Sequence, residues 1–128
     1  MAIIRNSNIT ILKAPATIFG AKIETDPVLL DNAQAAHFVI STGEGTEAKV
    51  KAEVRAKRDG KDSILIREEE ILIGGNADNK IVVAARELCK EEKYSVYLVI
   101  PNANAPTIVG SIFVVKTNER YSTEPARG

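Results

Sequence analysis

The chain has 128 residues, 17 of them Lys or Arg and 17 Asp or Glu, so its formal net charge is zero. That balance argues against a broad nucleic-acid or anionic-membrane footprint, which needs a basic excess, and leaves only a local patch open. The length suits one domain, and at this size folding buries roughly two-thirds of the unfolded chain's surface, enough for a core without staples. The single cysteine, Cys89, rules out an internal disulfide. Tryptophan is absent and aromatic residues make up 5%, so the core is built from Val, Ile, Leu and Ala. Residues 1–5 are too short an apolar run for a signal peptide and no stretch approaches a membrane span, so synthesis and folding in a cytoplasm are expected.

In chain order, residues 9–12 read as a short strand that Pro15 ends or marks as a sheet edge. Residues 16–23 suit a second short strand bent at Gly20, and Asp26-Pro27 is a turn signal. Residues 28–30 are a brief apolar run, and residues 36–42 form a clear strand. Gly43-Glu44-Gly45 reads as the next turn. Then Ala48, Val50, Ala52, Val54 and Ala56 alternate with Lys49, Lys51, Glu53, Arg55 and Lys57. Strict alternation puts the charges on one face of a strand and the apolar side chains on the other; a helix would scatter them. Ten such residues span about 33 Å, long enough to suggest one arm of a curved sheet.

Asp59-Gly60 is a hairpin signal, and residues 63–67 return as a strand. Glu68, Glu69 and Glu70 interrupt it before residues 71–73 resume. Residues 74–79 are a turn cluster, 81–84 a strand, and 85–92 hold one helical turn. Residues 92–101 and 107–116 read as the two arms of a β-hairpin closed by residues 102–106. The arms are too apolar to stand alone in water, so other strands must cover them. The whole is expected to be one all-β domain over residues 1–128, with a possible N-terminal arm at 1–15 and a flexible tail at 118–128. Turn signals about every 8 to 12 residues suggest an antiparallel β-sandwich of about seven to nine strands.

Residues that carry chemistry elsewhere have simpler readings here. Gly43, Gly45 and Ala48 fit the dinucleotide fingerprint, but that motif needs a following helix N-terminus to hold the pyrophosphate, and an alternating strand follows. His37 is the only histidine and lacks partners for a zinc site. A Cys89–His37 nucleophile pair has nothing in sequence to depress the thiol pKa. Glu68 to Glu70 lack calcium-loop spacing, and a solvated strand edge that blocks aggregation is the better reading. The basic residues Lys49, Lys51, Arg55 and Lys57 would meet phosphate or an acidic surface, or pair across strands with the glutamates. No catalytic, cofactor-binding or metal-binding residue is assigned, and no cofactor is expected.

Leu88 precedes Tyr94 by six residues, and alternating apolar residues follow. This resembles the corner before the penultimate strand of fibronectin type III and other immunoglobulin-like domains. The resemblance implies an immunoglobulin-like sandwich in which the tyrosine hydroxyl bonds upstream backbone. Residues 48–57 would then be strand C, 81–84 strand E, and the hairpin arms strands F and G.

The layout as a whole resembles small virion proteins of tailed phages, particularly those that decorate the capsid. The likeness rests on the Met1-Ala2-Ile3-Ile4 start leading to an Ile-Thr-Ile strand, the alternating Ala/Val strand with its Asp-Gly turn, and the Arg120-Tyr121-Ser122 ending. It is a likeness of layout and transfers no functional residues. It implies a non-enzymatic structural protein, made in the host cytoplasm and carried in the virion, that binds the major capsid protein or other virion subunits. A homo-oligomer is compatible with it; nucleic acid and membrane are not expected partners. Ile3, Ile4, Ile9 and Ile11 are candidates to add a strand to a neighbour, and Arg120 and Tyr121 to reach across an interface. The alternatives are an immunoglobulin-like module binding protein or carbohydrate, and a tail or head-completion protein.

Overall fold

The structure, a computed structural model, describes residues 7–30, 33–58, 62–88 and 94–117. Among these, nine strands follow in order: β1 (Ser7–Phe19), β2 (Ile23–Glu24), β3 (Val28–Leu29), β4 (Ala35–Thr42), β5 (Ala48–Arg58), β6 (Asp62–Ile73), β7 (Asp78–Ala84), β8 (Tyr94–Ile100) and β9 (Ala105–Thr117). The helical turn expected after residue 84 is a short 3-10 turn at Ala85–Glu87.

The strands form two antiparallel sheets. One has the order β1-β9-β4-β7; the other has the order β2-β8-β5-β6, with β3 also pairing β8. The sandwich expected from the turn spacing is therefore present. Alternation explains its core. Ala36, Phe38 and Ile40 of β4, Ala52, Val54 and Ala56 of β5, and Ile112 and Val114 of β9 are all fully buried between the sheets. At β8, residues 96–100 are all buried: Val96, Leu98 and Ile100 belong to the core, while Tyr97 and Val99 face the other way, opposite Arg55 and Glu53 of β5.

The connectivity corrects the hairpin expected from residues 92–116. β8 pairs with β2, β3 and β5, whereas β9 pairs with β1 and β4 in the opposite sheet. Residues 101–104 therefore cross between sheets instead of closing a hairpin. A short Pro/Asn loop can reverse a chain within a sheet or step across the ~10 Å to the facing one, and turn chemistry does not distinguish the two. The immunoglobulin likeness holds where β5 lies beside β8, as strand C lies beside F. It fails where strand G would lie beside F. The β4–β5 and β6–β7 connections also change sheets, so Gly43 to Gly45 do not close a hairpin either. Among the described residues, only β5 and β6 are consecutive strands that pair, with Arg58 opposite Asp62, as the Asp-Gly signal predicts; residues 59–61 lie outside them. With β2 and β3 sharing one position beside β8, two interleaved layers in this order make a jelly roll.

One further expectation is decided and another changes. Of the two readings of Pro15, the sheet edge holds and the strand end does not. β1 continues to Phe19 as an edge strand, with Ala16 at φ 74 and Thr17 Oγ1 donating to Ala14 O at 2.6 Å. Glu68 to Glu70 do not interrupt β6, which continues through them paired with β5, Lys51 opposite Glu70 and Glu53 opposite Glu68. The glutamates do lie on an edge strand, as expected.

Candidate docking face

The two water-facing surfaces of the sandwich differ in kind. On the β5 sheet the outward row is charged and internally paired. Lys51 Nζ lies 3.8 Å from Glu68, and Arg55 Nη1 lies 2.9 Å from Glu53. Arg55 Nε also donates to Ser63 Oγ at 2.8 Å, and Ser63 Oγ lies 2.5 Å from the Tyr97 hydroxyl. Lys57 Nζ sits 5.2 Å from the centre of the Tyr97 ring, within cation–π range. The hydrogen bond to Glu53 holds the Arg55 guanidinium pKa above its ordinary value, a smaller desolvation opposes this, and Tyr97 adds to the rise. Of the basic row found in the sequence, Lys51 and Arg55 thus pair with glutamates and Lys57 lies over the Tyr97 ring. Cross-strand pairing with the glutamates, the simpler of its two readings, is what Lys51 and Glu68 make.

The opposite face is apolar. Its register forms two cross-strand rows. One runs Ile9, Val115, His37, Val82 and the other Ile11, Phe113, Val39, Lys80, from β1 through β9 and β4 to β7. The inward neighbours Phe38, Ile81 and Val114 are buried, so these rows point to water. Farther along, Ile18 lies opposite Val109 on the same surface. Ile9 is 66% exposed, Ile11 65%, Ile18 58% and Val109 42%. An antiparallel sheet with one face in water normally carries polar residues outward, and an apolar cluster there marks a surface that meets something else.

Of the candidates from sequence, the structure brings Ile9 and Ile11 together on this face, within β1. Ile3, Ile4, Arg120 and Tyr121 lie outside the described residues, as do Cys89 and the tail at 118–128. Leu88 and Tyr94 are partly buried and pack against the core. The Tyr94 carbonyl accepts from Leu30 N at 3.2 Å, while the upstream backbone that a tyrosine corner uses lies outside the described residues. His37 is half-buried in the first apolar row.

Sequence reading missed Val39, Phe113 and Val115 as surface residues. The available signal was that residues 36–40 and 112–115 are apolar at successive positions, which alternation alone does not require. Among the described residues, no three His, Cys, Asp or Glu side chains cluster to hold a metal ion, and no helix is long and apolar enough to cross a membrane. No protein-family model and no curated protein matches the chain.

Proposed function

We propose that this chain is a non-enzymatic virion structural protein that binds and stabilises an assembled phage capsid as a decoration protein. The observation that supports it is the apolar outer face of β1, β9 and β4, set opposite a charged face whose ions pair among themselves. Such a two-sided plate suits lying on a larger surface, with the apolar side down and the charged side in water. Repetition across a lattice turns modest single contacts into firm attachment through effective concentration. The layout likeness to phage decoration proteins supplies the shell as the partner. The jelly-roll order alone would not, because that architecture serves capsids and lectins alike.

The test is quantitative mass spectrometry of intact particles from the source culture, counting this chain against the major shell protein. A copy number near that of the shell protein supports decoration. A few copies per particle moves the chain to a tail or head-completion position. Absence from particles sinks the virion reading and favours a sandwich module that binds protein or carbohydrate.

A further inference from the structure

Each sheet has two edge strands, and an edge presents unpaired backbone groups that invite another strand unless it is blunted. Three of the four edges here are blunted by recognisable means. β2 and β3 are two residues each, with Asp26 and Pro27 between them. β6 and β7 carry Arg67, Glu68, Glu70, Asp78 and Lys80, and side chains bond the two edges to each other. Asn79 bonds the Leu72 backbone, and Arg67 donates to the Val82 carbonyl.

β1 is blunted along only part of its length. Lys13, Pro15, the positive-φ Ala16 and all three register shifts against β9 fall after Ile11. Residues 7–11 keep unbroken register with residues 113–117 of β9 and contain no charge, no proline and no bulge. Among the described residues, β1 pairs only with β9.

We propose that this half of β1 is a self-association edge, pairing antiparallel with the same segment of a second copy about a two-fold axis at Thr10. A second copy fits for two reasons. A two-fold axis requires a self-complementary patch, and an uncharged strand meets itself without like-charge contact. In this register Ile9 faces Ile11 of the other copy, so four exposed isoleucines close into one cluster. The shift after Ile11 limits the regular ladder to residues 9–11 of each copy, and Lys13 beyond it lies toward Ser7, so no two charges meet. The two four-stranded sheets become one eight-stranded sheet, and the apolar outer faces join into one. Self-association goes beyond the docking function and does not depend on it.

Sedimentation of the purified full chain from micromolar to millimolar concentration tests the proposal. The wild type is expected to form a dimer, and Ile9→Lys with Ile11→Lys to lose it at every concentration where the wild type is dimeric. Because both positions are exposed, the variant is expected to keep the wild-type circular dichroism spectrum. A wild type that stays monomeric, or a folded variant that stays dimeric, overturns the proposal. A second measurement does not depend on that variant. Thr10→Cys in a Cys89→Ala background is treated with a short bis-maleimide, since facing Cβ atoms in such a ladder are about 5 Å apart. A covalent dimer is expected there and not with Val109→Cys. Failure of Thr10→Cys to cross-link, or equal cross-linking at Val109→Cys, would also reject it.

Discussion

The Asn79 side chain bonds both backbone groups of Leu72. Its Nδ2 donates to Leu72 O at 2.6 Å, and Leu72 N donates to Asn79 Oδ1 at 3.3 Å. The carboxamide imitates a peptide group and pairs the edge of one sheet with a residue of the other. Asn79→Ala leaves both Leu72 groups without these partners in a half-buried setting. It is expected to cost about 1–3 kcal/mol, read as a lower urea midpoint with an unchanged slope.

Thr25 does similar work at the opposite side of the sandwich. It is buried between β2 and β3, donates its backbone N–H to Leu98 O at 3.0 Å, and accepts from Leu98 N through Oγ1 at 3.0 Å. The hydroxyl thus keeps β8 paired where Pro27 divides its neighbour. Thr25→Val preserves shape and removes the acceptor, so a loss of about 1–3 kcal/mol is expected. Thr25→Ser, which retains the oxygen, should unfold at a midpoint between the two.

Gly110 is required by space and not by backbone conformation. A Cβ there would lie 2.4 Å from Ser41 O, 3.0 Å from Thr42 Cα and 3.1 Å from Phe19 Cε1. Two of those atoms are backbone of the adjoining β4, which cannot swing aside. Gly110→Ala is expected to destabilise by about 1–3 kcal/mol through overpacking. Gly43→Ala is the control, because its Cβ would meet nothing closer than 3.5 Å; its thermal unfolding should stay within about 0.5 kcal/mol of wild type.

The docking face and the charged face make opposite predictions. Phe113→Ser on the apolar surface should weaken binding to shells that lack the chain, measured by co-sedimentation. Lys51→Glu removes an exposed pair with Glu68 that contributes at most about 1 kcal/mol. It should leave shell binding unchanged. If Lys51→Glu weakens binding and Phe113→Ser does not, the charged face is the docking surface instead.

Much of this architecture was readable residue by residue. The alternation from Ala48 to Lys57 specified which side of β5 is core, and Asp59-Gly60 signalled the β5–β6 pairing, the one between consecutive strands among the described residues. Both are local properties, since a side chain's direction follows from its own backbone and a tight turn from its own few residues. Ile9 and Ile11 were legible as candidates for the same reason, being apolar residues spaced two apart. Val39, Phe113 and Val115 were not, because an apolar residue in a strand reads equally well as facing core, a neighbouring strand or water.

Composition, pattern and turn chemistry therefore suffice for an all-β, two-layered antiparallel domain without a disulfide, with a charged strand face and a long β5–β6 hairpin. They do not assign strands to sheets. The two sheets line one core from opposite sides and demand the same alternating apolar residues, so nothing within β8 or β9 records which layer it joins. That choice is made by long-range contacts, as β9 inserts between β1 and β4 while β8 inserts between β5 and the β2–β3 edge. The same assembly leaves Ile9, Ile11 and Phe113 on the outer surface beside an open edge, because no third layer covers them among the described residues.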